Sequence, residues 1–187
     1  FKYFNFSLQI NRLELHCKVI YSYQRNIHPK FKDNRENGIK DTNLLDQSRF
    51  LYINSIIELV PGIFIFPQIK IIDSLHTQRE KKKIPDCFDD ELAITLTTNS
   101  SFSIISACSH RGITNIYHTV QHSFLKLSPD LVLGGFHIHN AETEKFNVIT
   151  SYLKKVQPKR IGICHCTGVD KYALFYQQFG NRVFYNY

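Results

Sequence analysis

The chain has 187 residues, of which 43% are hydrophobic and 21% are charged, a balance that excludes a disordered chain and predicts one globular domain over 1–187. No apolar run reaches the roughly 20 residues that cross a bilayer, and the start of the chain lacks a signal-peptide pattern, so we expect a cytoplasmic protein with no membrane partner. The formal net charge of +7 admits a nucleic-acid partner, but the densest basic run, Arg79–Lys83, is typical of a solvated loop, and a basic surface attracts an anionic small molecule equally well.

Short β-branched and aromatic runs in the first half of the chain predict strands. The predicted strands are residues 17–21, 50–53, 56–60, 63–66 and 91–97. Pro61-Gly62 separates two of these runs with a turn, and we expect the three runs from 50 to 66 to form a β-meander. Asn99-Ser100-Ser101 predicts a hairpin turn into a strand that ends at Ser106.

The second half of the chain alternates predicted strands with helices. After His110, apolar residues recur at helical spacing as far as Phe124, and Ser128-Pro129-Asp130 is expected to end that helix. Similar spacing predicts helices over 141–156 and 169–179. Strands followed by alternating strands and helices predict an α/β (α+β) fold in which helices cover a sheet.

Three strand ends in this half each carry a histidine. The chain reads Cys108-Ser109-His110 after one strand, Gly134-Gly135-Phe136-His137 after the next, and Cys164-His165-Cys166-Thr167-Gly168 after the third. Imidazole and thiolate are the usual protein ligands of zinc-type ions, so the strand-end histidines are either ligands of a shared metal site or structural hydrogen-bonding residues.

Two of the candidate metal ligands keep an alternative interpretation. Phe136 and Ile138 flank His137 in a strand-like context, so its ring either binds a metal or holds a ligand by a hydrogen bond. Cys108 is either a small buried apolar residue or a ligand. The five cysteines form neither a Cys-x-x-Cys pair nor an even framework, which argues against a disulfide scaffold.

Five segments together carry a resemblance to a known family. SACSHRGITNI, LGGFHI and HCTG, in that order, with ELVPGIFIF and IPDCFDDELAI upstream, resemble the metallo-β-lactamase-fold hydrolases. The most similar branch is the dihydropterin ribofuranosylaminobenzene phosphate synthase-like group, and the match runs from about Val19 to the C-terminus. The resemblance implies a metallo-β-lactamase-like αββα sandwich.

The same resemblance implies a metal-dependent hydrolase. It implies a divalent metal, zinc or a similar ion and up to two of them, that activates a water molecule. His110, His165, His137 and Cys108 would be the metal-binding residues, and a pterin- or phosphate-containing small molecule would be the substrate. The family's main ligand motif, His-x-His-x-Asp-His, does not occur here. We therefore expect the chain to represent the C-terminal portion of such a domain, with exposed apolar surface that favours a homo-oligomer.

Other polar residues near these loops are candidates for supporting roles. Asp89 and Asp90, just before a predicted strand, are either solvated turn residues or carboxylates that hold a histidine ligand. Thr167 and Gly168 precede a helix and either cap it or bind an anionic substrate group. Ser109 is a further candidate substrate contact.

Two other function classes stay open on the sequence. A descendant without the first ligand motif would be a non-catalytic binding or interaction module, and metal content would distinguish it from the hydrolase. A nucleic-acid-binding protein would show affinity that falls steeply with salt.

Overall fold

The computed structural model of the chain describes residues 19–22, 50–73, 88, 91–141 and 143–186, and for 19–22 and 50–52 it describes the backbone alone. Strands and helices are numbered here in chain order. They are β1 (Val19–Ser22), β2 (Phe50–Ile53), β3 (Ile57–Val60), β4 (Ile63–Phe66), β5 (Ala93–Thr97), β6 (Ser101–Ser106), α1 (Ile113–Ser123), β7 (Ser128–Gly134), α2 (Thr143–Val156), β8 (Arg160–Ile163), α3 (Val169–Phe179) and β9 (Val183–Tyr185).

A seven-stranded mixed sheet, in the order β3-β4-β5-β6-β7-β8-β9, is the centre of the fold. Pairing is antiparallel from β3 to β6 and parallel from β6 to β9. The predicted turn at Pro61-Gly62 is confirmed, with Gly62 at φ 81°. The predicted hairpin between β5 and β6 is also confirmed, and the Thr98 N–H donates to the Ser101 carbonyl at 2.8 Å.

The three helices lie on one face of the sheet. Each connects neighbouring parallel strands in the same direction, and right-handed crossovers then place all of them on the same side. Their apolar sides pack with the sheet into one large core, in which Phe175 of α3 meets Phe136 and Phe146 edge-on at centroid distances of 5.7 and 5.0 Å. The predicted amphipathic helix after His110 is confirmed as α1.

The opposite face of the sheet has its own apolar cluster. Ile65, Leu92 and Ile94 are buried there together with Ile53 of β2. Strand β2 pairs in parallel with β1 in a separate two-stranded sheet, so the expectation that residues 50–66 form one meander is wrong for β2. The meander begins at β3 instead, because β2 covers the apolar face of the large sheet. With helices on one face and strands on the other, the fold is a mixed α/β sandwich, as predicted.

Two local predictions need correction, and one strand was not predicted. Ser128–Asp130 does not end α1, which stops at Ser123; these residues begin β7, where Asp130 pairs with Arg160 of β8. The helical spacing over 169–179 predicted an inward Tyr176, but this residue is 45% exposed, and its hydroxyl donates to Asn181 just after α3. Strand β9 was not predicted, since three residues are too short to show a period.

Two of the expectations drawn from the sequence concern binding partners, namely nucleic acid and membrane. The basic run Arg79–Lys83 lies outside the described residues. Among the helices that are described, none combines the length and the apolar character needed to cross a bilayer.

Candidate metal centre and adjoining cavity

The ends of the parallel strands β6, β7 and β8 meet at one edge of the sheet, and backbone hydrogen bonds join the loops that follow them. The Gly135 N–H donates to the Ala107 carbonyl at 2.9 Å, and the Cys164 N–H donates to the Gly134 carbonyl at 3.2 Å. These bonds hold the first loop against the second and the second against the third. The three histidine-bearing loops are therefore neighbours, as the strand order requires.

Three metal-binding groups converge where the loops meet. One donor atom each from Cys108, His137 and Cys166 lies within 4.8 Å of the other two. Cys108 and His137 were predicted, whereas Cys166 was missed. The missed thiol lies in a 3₁₀ turn over His165–Thr167, in which successive side chains point about 120° apart. A sequence does not show which side chain of such a turn faces a neighbouring loop.

The two thiols of this cluster differ in their ionisation. A hydrogen bond from Cys166, followed by one from His137, lowers the pKa of Cys108 from 9.0 to about 3. The same hydrogen bond to Cys108, together with burial, raises the pKa of Cys166. The pair therefore favours a thiolate at Cys108 with the proton on Cys166, and a cation that enters the cluster would displace that proton.

Gly135 makes the close approach of the loops possible. A Cβ at this position would lie 2.4 Å from the Cys166 sulfur, 2.9 Å from the Ala107 carbonyl oxygen and 2.9 Å from the His165 ring. Real Cβ contacts are not this short, so any side chain here would displace the third loop from the first. Steric contacts therefore explain why the second residue of the Gly134-Gly135 pair is a glycine.

His165 lies beside the cluster and contacts two cysteines. Its Nε2 is 2.9 Å from the Cys108 sulfur and its Nδ1 is 3.1 Å from the Cys164 sulfur. Burial is the first cause that raises the pKa of Cys164, so this sulfur keeps its proton near neutral pH. The Nε2–H of His165 can therefore donate to the Cys108 thiolate while the Cys164 thiol donates to Nδ1.

His110 is held by a buried carboxylate that the sequence did not single out. Glu91 is 3% exposed. Its Oε1 accepts the His110 N–H at 2.8 Å, and its Oε2 accepts the Arg111 N–H at 2.6 Å. The His110 Nδ1 lies 3.7 Å from the same carboxylate, and its ring stacks on Phe88 with centroids 4.5 Å apart.

The Glu91 carboxylate therefore fixes the loop that carries Cys108. The His110 ring also contacts the His137 ring at a centroid distance of 4.6 Å, so His110 borders the cluster. Asp89 and Asp90, the carboxylates predicted to hold a histidine, lie outside the described residues. A run of acidic residues ending at Glu91 could have indicated this role, but not which of its members is buried.

Two predicted substrate contacts point into the protein. Ser109 is 1% exposed, with φ 49°, and its hydroxyl donates to the Ser106 hydroxyl at 3.0 Å. Thr167 is fully buried, and its hydroxyl accepts the Phe136 N–H at 2.8 Å. Neither hydroxyl caps a helix; each instead joins parts of the loops that carry the cluster.

Gly168, the third predicted contact, lines an open cavity of about 830 Å³ next to the cluster. It is the residue before α3, with φ 84°, and a Cβ there would lie 2.3 Å from Nδ1 of His139. The cavity is lined by His137, His139, Asn140, Ala141, Lys145, His165, Cys166, Gly168, Val169 and Tyr185. Because His137 and Cys166 belong to both the cluster and the cavity lining, the cavity opens directly onto the metal-binding groups.

Comparison with solved structures shows the fold class. The structure superposes on the crystal structure of Tm1679, a metal-dependent hydrolase of the β-lactamase superfamily, with a TM-score of 0.65 and 24% sequence identity, over 74% of this chain and 56% of that one. The fold is therefore that of the β-lactamase superfamily, as the sequence resemblance implied. No family model matches the chain.

Among curated proteins, the chain is similar to an archaeal enzyme. It is 29% identical over 137 residues to the 7,8-dihydropterin-6-methyl-4-(beta-D-ribofuranosyl)-aminobenzene-5'-phosphate synthase of Methanocaldococcus jannaschii. The match covers 66% of this chain and 45% of that protein, so the chain spans about half the length of the curated relative that it matches. This similarity supports the branch that the sequence motifs indicated.

The residues present fit a thiophilic divalent ion. Two sulfurs and one imidazole are the donors that zinc-type ions prefer, whereas magnesium and calcium take oxygen ligands. The His137 Nδ1 is buried and has no hydrogen-bond partner within the described part of the chain. A cation in the cluster would neutralise the Cys108 thiolate and would bind the sulfurs of both Cys108 and Cys166.

Proposed function

We propose that this chain carries the metal-binding portion of a metal-dependent hydrolase, within a single metallo-β-lactamase-like domain over 1–187. The observation that carries the proposal is the convergence of Cys108, His137 and Cys166 to within 4.8 Å at the strand ends of a β-lactamase-superfamily fold. The donor set favours zinc or a similar ion. A cytoplasmic location fits the reduced cysteines that this site needs.

Three protein donors are the usual number in a catalytic zinc site, because the fourth position is then left for water or substrate. A bound ion of this kind would supply Lewis acidity and lower the pKa of a water molecule toward ~7. The protein's own contribution is to hold the donors in place. Gly135 allows the loops to approach, and the Glu91 carboxylate fixes the loop between Cys108 and α1.

The two histidines beside the cluster have distinct roles in this proposal. His165 hydrogen-bonds the Cys108 thiolate and lines the cavity, so it is placed to exchange a proton with a bound molecule. His110 contacts His137 and is oriented by Glu91. If a second ion binds, His110 and His165 are the further ligands that the sequence predicts.

The substrate is proposed to be a pterin- or phosphate-containing small molecule. The name of the curated relative describes a phosphorylated pterin compound as the product of that enzyme, and the cavity beside the cluster is within the roughly 300–1,000 Å³ range of small-molecule sites. Because that relative is a synthase, hydrolysis itself is the part of the proposal that needs a direct test.

The test combines metal analysis with an activity screen. The purified chain is analysed for metal and assayed on a panel of phosphomonoesters and phosphodiesters, before and after chelation and after zinc is restored. We expect bound zinc, and hydrolysis that chelation abolishes and zinc restores. Cys108→Ser and Cys166→Ser should lose both, while Cys164→Ser, a neighbouring cysteine outside the cluster, should keep the metal.

A second candidate function is a non-catalytic binding module with a structural metal. The short distance between Cys108 and His165 favours it, because four protein ligands would close the site to water. Stoichiometric metal without hydrolysis of any ester would support this second function and contradict the first.

A further inference from the structure

The cavity next to the metal-binding cluster has a basic part and an apolar part. Lys145 and His139 supply the basic part, while Ala141, Val169 and Tyr185 supply the apolar part. No Asp or Glu is among the described residues that line it. A cavity that holds a lysine ammonium group, with no carboxylate among its described lining residues, attracts anions.

Lys145 is the formal cation of this cavity. It lies in the first turn of α2 (Thr143–Val156) and is half-buried. Burial lowers its pKa, because an ammonium group that has lost part of its water is less stable when charged. Ion pairs are stronger where water is partly excluded, so a phosphate beside this ammonium group would be bound more firmly than one on a fully exposed lysine.

The apolar wall has a fixed aromatic ring. Tyr185 of β9 meets Tyr172 of α3 edge-on, with ring centroids 5.5 Å apart. Val169, at the start of α3, is 65% exposed although it is apolar. A fixed aromatic ring beside exposed aliphatic surface suits a planar ring of a ligand.

We propose that this cavity binds a small molecule that joins a planar ring to a phosphate group, with the phosphate on Lys145 and His139 and the ring against Tyr185 and Val169. The proposal rests on the proposed function, whose substrate class it narrows, and it assigns recognition to residues outside the metal-binding cluster. The starts of α2 and α3, which border the cavity, add partial positive charge on the same side.

Phenyl phosphate tests the proposal without relying on catalysis. Its binding to chelator-treated protein is measured by isothermal titration calorimetry and compared with that of inorganic phosphate. We expect phenyl phosphate to bind at least about 10-fold more tightly, because burial of its ring adds a hydrophobic contribution that inorganic phosphate lacks. Tyr185→Leu should reduce that preference, while the affinity for inorganic phosphate stays within about 2-fold.

Variants of one helix test the role of Lys145. Lys145→Gln should weaken phenyl phosphate binding roughly 10- to 100-fold, and Lys145→Arg should retain most of the affinity. Lys155→Gln, which removes an exposed lysine from the same helix, is the matched control and should change nothing. Near-ultraviolet circular dichroism confirms that each variant is folded.

Equal affinity in the wild type and Lys145→Gln, or an equal loss in Lys155→Gln, would overturn the proposal. Its failure is distinguishable from failure of the hydrolase. Lys145-dependent binding of phenyl phosphate in a chain that neither holds metal nor hydrolyses esters would support the cavity assignment and refute the hydrolase. Zinc-dependent hydrolysis with an unchanged KM for aryl phosphates in Lys145→Gln would support the hydrolase and refute the cavity assignment.

Discussion

The Cys108 sulfur lies 2.9 Å from Nε2 of His165, although 57 residues separate the two in the chain. The contact exists because β6 and β8 both pair with β7 in parallel, so the loops after all three strands leave the same edge of the sheet. Every part of the proposed metal centre depends on this arrangement.

Removal of either cluster thiol should abolish tight zinc binding. In Cys108→Ser and Cys166→Ser the ion loses a thiolate, and we expect its affinity to fall by more than the roughly 10- to 100-fold that loss of an outer hydrogen-bond partner causes. Competition with a chromogenic chelator measures the affinity. Cys164→Ser is the control, because its sulfur contacts the His165 Nδ1 and not the cluster. Equal affinity in all three variants would contradict the assignment.

Replacement of the buried Glu91 carboxylate should destabilise the first loop. Glu91→Gln puts an amide NH₂ against one of two backbone N–H donors, and we expect a loss of about 1.5–3 kcal/mol in the free energy of unfolding. Urea denaturation measures it. Glu58→Gln is the matched control, since the exposed Glu58 accepts one N–H, from Gly62, and should cost under about 0.5 kcal/mol. Similar losses in both variants would show that the burial of Glu91 has no special role.

A methyl group at Gly135 should separate the loops that carry the cluster. Gly135→Ala places a Cβ 2.4 Å from the Cys166 sulfur, so we expect loss of zinc with a destabilisation of about 1–3 kcal/mol. Gly180→Ala controls for stability alone: its Cβ would meet nothing within 4 Å, and its φ of 59° with ψ −140° costs an alanine about 1–3 kcal/mol. Metal content of the two purified variants gives the answer, and zinc retained in Gly135→Ala would contradict the steric argument.

The low pKa of Cys108 should appear in its alkylation. In metal-free protein its rate with iodoacetamide should be nearly flat between about pH 5 and 8, because the pKa is lowered to about 3 and the thiolate is already formed. The rate of Cys164, whose pKa is raised, should climb about 10-fold per pH unit. Peptide mass spectrometry separates the two sites, and a Cys108 rate that climbs like that of Cys164 would be the contrary result.

The lowered pKa of Cys108 also makes the stability of the folded chain depend on pH. Unfolding returns the Cys108 thiol toward its ordinary pKa of 9.0, so between about pH 3 and 9 the unfolded chain binds more protons at this group. The contribution to stability is therefore complete above about pH 9 and is lost as the pH falls toward 3.

The sequence predicted the secondary structure where periodicity is long, and it put the candidate ligands on the loops after three strands that are neighbours in the sheet. The helical spacing after His110 correctly predicted α1, and the spacing over 169–179 correctly predicted α3. The fold class followed from the order of strands and helices. The prediction that failed, a meander that included β2, concerned a non-local contact. Strand β2 pairs with β1, and no local pattern indicates which distant strand a four-residue run will join.

The sequence indicated which loops carry the candidate site, but it did not indicate which side chains of those loops contact one another. Cys108 and His137 were expected to be donors and lie in the cluster, but Cys166 and Glu91 were not proposed. The roles of Cys166 and Glu91 depend on how deeply each side chain is buried and on which way it points. Both properties are set by packing across three loops. The proposed ligand roles of His110 and His165 stay predictions.

Substitution of the metal by Co²⁺ tests the central claim most directly. We predict that the chain binds cobalt stoichiometrically, with thiolate-to-cobalt charge-transfer absorption in the near ultraviolet and the strong visible bands of a four-coordinate ion. At the cobalt concentration that saturates the wild type, Cys108→Ser and Cys166→Ser should each lose most of the charge-transfer absorption because the ion is no longer held tightly, whereas Cys164→Ser should leave it unchanged. A wild-type chain that binds no cobalt, or binds it without charge-transfer absorption, would contradict the claim that Cys108, His137 and Cys166 form a metal site.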